Sequence, residues 1–159
     1  MRRAYAPLIA TLCLFAAPVL AEQFTDTQSG LQFDIPRGWT HKLDGNTLTA
    51  LSPDETAMLL FFVTDISESD EVVDRVAESM DQVIQNAQVT RRLTIREVND
   101  LKQIQAKGTG TCEEDLCNWD FTLVVGARRN LLVVALGDVD KHEAEIHGVY
   151  RSIQNDGSI

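Results

Sequence analysis

Two stretches decide the fold: Ala57-Met58-Leu59-Leu60-Phe61-Phe62-Val63 and Leu131-Leu132-Val133-Val134-Ala135-Leu136. Each has strand length and is apolar at both odd and even positions, so as a strand it has no face to offer water and needs cover on both sides. Two helical patterns are available for that cover. From Ser69 to Ala87 the apolar residues Val72, Val73, Val76, Met80, Val83, Ile84 and Ala87 recur at helical spacing, with acidic residues in the first turn. From Lys141 to Gln154 the stripe is Ala144, Ile146, Val149, Tyr150 and Ile153. The expected fold class is therefore α/β (α+β), a mostly antiparallel sheet sandwiched between helices.

The remaining strands read outward from these runs. Leu31-Gln32-Phe33-Asp34-Ile35 alternates and stops at Pro36, as a half-buried strand does. Thr40–Leu43 and Thr47–Leu51 flank Asp44-Gly45-Asn46, a hairpin signal, and Ser52-Pro53-Asp54 is a second turn. Val89–Val98, Lys102–Thr109 and Asn118–Val125 complete the set, with Val89, Leu93 and Ile95 expected on one face. The residues after the last helix read as a frayed tail.

The chain begins Met1-Arg2-Arg3, continues with a short proline-interrupted apolar run and ends that run in Val19-Leu20-Ala21. A basic start, a short apolar core and small residues before the break describe a secretory signal peptide over residues 1–21, cleaved after Ala21. Residues 22–159 are then the expected domain, in the periplasm or secreted, with no membrane span after cleavage. The chain has 24 acidic and 14 basic residues, a formal net charge of −10. Cleavage makes it more negative by two, because Arg2 and Arg3 leave and no acid does. So acidic a chain disfavours nucleic acid and anionic membranes and favours cationic partners, although the acids are scattered as a merely soluble surface would have them.

Cys13 leaves with the signal segment. The other cysteines, Cys112 and Cys117, bracket Glu113-Glu114-Asp115-Leu116. In an oxidising compartment this spacing reads as a disulfide pinning a hairpin tip, contributing about 2 kcal/mol or less for so short a loop. A metal site on the two thiolates is the competing reading and lacks a second cysteine pair or a nearby histidine.

The segment Gly30-Leu31-Gln32-Phe33-Asp34-Ile35-Pro36-Arg37-Gly38-Trp39, then Leu51-Ser52-Pro53-Asp54, the long middle helix and a closing helix with Arg151-Ser152-Ile153 resemble the PsbP-like superfamily. That group takes in photosystem extrinsic PsbP subunits, Mog-type and DcrB-type proteins. The resemblance implies an antiparallel sheet sandwiched by helices, and a family that mostly binds other proteins or has no assigned activity. It carries over no functional residue.

The chemistry-bearing residues form no catalytic set, metal site or cofactor motif. His142 and His147 are five apart and point to different faces, Glu143 and His147 have the spacing of a solvated pair, and His41 reads as a surface residue. There is no nucleophile elbow, and Gly108-Thr109-Gly110 opens no helix as a phosphate loop would. Two surfaces stand out. One is the acidic tip Glu113, Glu114, Asp115 and Leu116 with Trp119 beside it, which is either an exposed recognition aromatic or a packed sheet residue. The other is Arg92 and Arg96 with Arg128 and Arg129, able to contact an anion. These residues point to an exported, non-enzymatic accessory domain binding a periplasmic or secreted protein. A small-ligand binder or hydrolase with a pocket at the sheet edge, and an inhibitor or immunity-type protein using the acidic loop, are the alternatives.

Overall fold

The computed structural model describes residues 21–66, 72–80 and 83–157, without the side chains of Val73 and Arg92. The signal segment, Ala21 excepted, lies outside the described residues. The elements in chain order are β1 (Glu22–Asp26), β2 (Leu31–Ile35), β3 (Thr40–Asp44), β4 (Thr47–Leu51), β5 (Ala57–Thr64), α1 (Val72–Ser79), β6 (Gln85–Val98), β7 (Leu101–Cys112), β8 (Asp115–Val124), β9 (Asn130–Gly137), α2 (Glu143–Ser152) and β10 (Gln154–Asn155). All strand pairs are antiparallel.

The large sheet runs β3-β4-β5-β9-β8-β7-β6. The chain climbs from the edge to β5, crosses with α1 to the far edge and returns through β7 and β8 to lay β9 against β5. The two runs that are apolar on both sides thus become neighbours at the centre, with Leu59 opposite Ala135 and Phe61 opposite Val133. Burial follows from that position. Leu132 and Val134 pack with Val72 and Val76 of α1 and with Met80 just after it, whereas Val133 and Ala135 pack with Ile146, Val149 and Tyr150 of α2.

The architecture is more sheet-dominated than a sheet sandwiched by helices. Cover on the α2 side is shared with a second sheet, β1-β2-β10, which the sequence pattern does not reveal. Its link to the body is aromatic: Phe33 stacks on Phe61 with centroids 4.5 Å apart and 4° between planes, and Phe24 lies 5.5 Å from Phe33. The expected frayed tail is in part β10, paired to β2 through Gln154 and Asn155.

The middle helix is also shorter than its apolar stripe. Gln85 already belongs to β6, where it pairs with Thr111. Met80 and Ile84 keep their burial in the turn between helix and strand, so the stripe continues while the backbone hydrogen bonds pass to β7. Two smaller expectations also change. Ala144 faces solvent. Val89 and Ile95 are exposed and only Leu93 packs, because β6 slips register against β7 at several points. The turn Pro36–Trp39 keeps its structural roles: Gly38 has φ 81°, and Trp39 is buried with its amide donating to the Pro36 carbonyl at 3.1 Å. No helix among the described residues is long and apolar enough to cross a membrane.

Candidate functional site

The two-residue turn between β7 and β8 is Glu113-Glu114, with Cys112 opposite Asp115 and Cys112 disulfide-bonded to Cys117. With both sulfurs in that bond, neither is a thiolate for a metal. Glu113 has φ 53° and Glu114 φ 98°, the positive values of the tight hairpin turn that Asn-Gly fills best. Left-handed backbone costs an ordinary side chain about 1–2 kcal/mol. Two glutamates at these positions are therefore a local departure from what stability alone selects, of the kind found at functional sites.

The tip projects past β9 on one side, while on the other β6 runs alongside as far as Gln85, opposite Thr111. Strand β9 ends at Gly137, opposite Asn118, so the pairs from Gly110–Cys117 to Cys112–Asp115 run on past it by three residues, roughly 10 Å. At its end Glu113, Glu114 and Asp115 are exposed, and Leu116 is 82% exposed. Trp119 is not part of this surface. It is 4% exposed, its indole N–H donates to the Thr109 carbonyl at 2.9 Å, and its ring lies over Gly108.

The overhang creates an open groove of 490 Å³ between the tip, the end of β9 and the β4–β5 turn. Leu51, Met58, Val83 and Leu136 give it an apolar lining, and Glu55 and Glu113 also line it. A second cavity of 240 Å³ opens between β1 and the β3–β4 hairpin, over Phe24, Phe33 and Phe61.

Arg128 and Arg129 are both engaged at the turn between β8 and β9. Arg128 donates to the Thr27 carbonyl at 3.1 Å, and Arg129 makes a two-pronged contact with Asp65 at 2.9 and 3.2 Å. Both fasten the β8–β9 turn to neighbouring loops. Arg96 stands in β6 beside a shallow polar groove with Arg91 and His147, and the Arg92 side chain lies outside the described residues.

That groove borders a polar layer that the sequence reading missed. Under α2, the outer half of the sheet carries the cross-strand rows Arg91–Lys107–Asp120 and Thr94–Gln105–Thr122. Asp120 is buried and accepts from the Tyr150 hydroxyl at 3.1 Å, with His147 Nε2 3.4 Å from its other oxygen. Lys107 pairs with Glu143 at 3.0 Å, and Gln103 donates to the Tyr150 carbonyl at 2.8 Å. The layer fixes α2 to the sheet. Polar residues at Asp120 and Thr122, inside a strand with both faces covered, were the available signal.

Burial raises the Asp120 pKa above the ordinary carboxylate value, against the lowering influence of His147, Tyr150 and Lys107. A carboxyl so shifted binds more protons folded than unfolded. Its stabilisation is complete at low pH and declines as pH rises from about 4 through the folded value. Asp120→Asn keeps an acceptor for Tyr150 and cannot ionise. Urea unfolding is expected to show the wild type losing stability relative to this variant as the pH rises above about 4. A difference that does not change with pH would contradict the assignment.

Asp54, Thr56 and His142 have the residue types of a catalytic relay but not its geometry. His142 Nε2 faces both Asp54 Oδ1 at 3.1 Å and Thr56 Oγ1 at 3.3 Å, and the buried Nδ1 has no hydrogen-bond partner among the described residues. A relay needs the carboxylate on one ring nitrogen and the nucleophile on the other. Hydrogen bonds from Lys141 first, then Ser52, hold the Asp54 carboxyl far below the usual range. The cluster ties the β4–β5 turn to the start of α2. Among the described residues no three His, Cys, Asp or Glu side chains gather as metal ligands.

The chain is similar in structure to cyanobacterial PsbP (CyanoP) from Synechocystis, with a TM-score of 0.64 and 13% identity over 89% of this chain and 95% of that one. PA94 of Pseudomonas aeruginosa, a protein of unknown function, aligns at 0.48 and 9% identity over 72% and 94% of the two chains. LpqN of Mycobacterium tuberculosis, involved in cell envelope biogenesis, aligns at 0.47 and 10% over 88% and 86%. No family model and no curated protein matches the sequence. The fold is PsbP-like, as the resemblance of residues 30–39 and the order of elements implied.

Proposed function

We propose, from the PsbP-like fold and the tip it presents, that this chain is an exported, non-enzymatic accessory domain that binds another protein through the end of the β7–β8 hairpin. One observation carries the reading. A disulfide-closed turn holds Leu116 at 82% exposure among three exposed acids, on backbone that glutamate adopts at a cost. An apolar side chain on a rigid, charged support needs little ordering to bind, which is how small tips reach useful affinity. The signal-like residues 1–21 and a disulfide that persists outside the cytoplasm support the exported setting.

The test is affinity capture by the oxidised protein from an extracytoplasmic extract, beside a Glu113→Lys, Glu114→Lys, Asp115→Lys variant with the same melting temperature. A protein retained by the wild type and lost with the variant is expected. Equal retention by both, or none by either, removes the tip from the account. The aromatic cavity over Phe24, Phe33 and Phe61 favours a second reading, a small-ligand site. A small molecule that raises the melting temperature and perturbs Phe24 would move the function there.

A further inference from the structure

The groove at the base of the tip has its own chemistry. Its walls come from three separated segments: Leu51 to Met58, Val83 to Gln85, and Thr111 to Glu113, with Leu136 and Gly137 closing the sheet end. Among the described residues two carboxylates line it, Glu55 and Glu113, and no lysine, arginine or histidine does. Neither glutamate sits on relaxed backbone, since Glu55 has φ 59° and Glu113 φ 53°. In both turns the chain keeps a long acidic side chain where glycine or asparagine would fit at less cost. Between them Met58 and Val83 are partly exposed, and methionine adapts to varied apolar shapes. At 490 Å³ the space is within the range of ligand-binding clefts.

An apolar surface lined by carboxylates and no bases is complementary to a chain segment that alternates apolar and basic residues. Lysine or arginine stems can lie along Met58 and Val83 while their charged ends reach Glu55 and Glu113. The long-range field has the same sense, because the protein as a whole carries −10. We propose that this groove receives an extended, cationic segment of the partner protein, so that the tip and the groove form one continuous docking surface. The proposal rests on the tip reading and adds the class of segment that the partner supplies.

The probe is a synthetic 12-residue peptide alternating lysine and leucine, with its glutamate-for-lysine counterpart as control, added to the oxidised protein with labelled methionine methyls. Met58 lines the groove, whereas Met80, just past the end of α1, is 4% exposed, does not line the groove and serves as an internal reference. The lysine peptide is expected to bind and to shift the Met58 methyl without moving Met80. Glu55→Lys, on the β4–β5 turn across the groove from the tip, should weaken it by about tenfold, as should raising the salt to about 0.5 M. Binding that leaves Met58 unmoved, equal affinity for Glu55→Lys, equal affinity for the glutamate peptide, or no binding overturns the proposal. Comparing captured proteins separates the two ideas. A partner lost with Glu114→Lys and Asp115→Lys but kept with Glu55→Lys overturns the groove and preserves the tip. A partner kept by all of these variants overturns both.

Discussion

Gly108→Ala is expected to destabilise the protein by about 3 kcal/mol or more, the upper range for overpacking a filled interior. A Cβ on Gly108 would lie 1.9 Å from the Gln88 carbonyl oxygen and 2.3 Å from Trp119 Cζ2. The first obstacle is backbone, and the second is a buried ring whose N–H is already committed to Thr109, so neither can move aside cheaply. The glycine is what allows β6 to slip register beside β7 while Trp119 crosses underneath. Denaturant unfolding checks this. Gly148→Ala is the control, because a Cβ there meets nothing within 4 Å in α2, and replacing a helical glycine should add about 0.5–1 kcal/mol. Similar small effects at both positions would mean that the Trp119–Gly108 crossing is not tight.

Phe33→Ala is expected to cost about 3–5 kcal/mol, the usual range for emptying a buried aromatic site. The damage should also be uneven. Phe33 joins the small sheet to the large one through its stack on Phe61, and β1 and β10 are held through β2. Hydrogen exchange is expected to accelerate at the β1 and β2 amides well before it does at Val133 or Val134 in the centre. Loss below about 1 kcal/mol, or uniform acceleration, would show that the small sheet is anchored elsewhere.

The parts of this fold that were legible in sequence are those fixed by local pattern. Residues 57–63 and 131–136 lack a polar face, so their place at the centre of a covered sheet follows from composition alone. The turn at Gly45 and the cysteine pair around Glu113-Glu114 announce two hairpins. Elements with little local signal were missed. β1 offers one apolar residue, Phe24, and β10 is two polar residues whose pairing with β2 is set by where α2 ends. The middle helix was overextended because Met80 and Ile84 stay buried after the chain has left the helix.

The site divides the same way. Glu113, Glu114, Asp115 and Leu116 were found because they are consecutive and bracketed by cysteines. The groove was not, since Glu55, Met58, Val83 and Leu136 are distant in the chain and meet only through strand order. Asp120 and Tyr150 are likewise 30 residues apart. Trp119 adjoins the tip in sequence, and only the pairing of β8 with both β7 and β9 shows it buried over Gly108 and not at the tip.

The central claim is that the tip keeps strained acidic residues for recognition and not for stability. Glu113→Asn with Glu114→Gly supplies the residues this turn prefers and removes two carboxylates in one step. The decisive measurement is the unfolding free energy of that variant, set beside its retention of the captured partner. The account predicts a gain of about 1–2 kcal/mol together with loss of the partner. A variant that is stabilised and still holds the partner would contradict it.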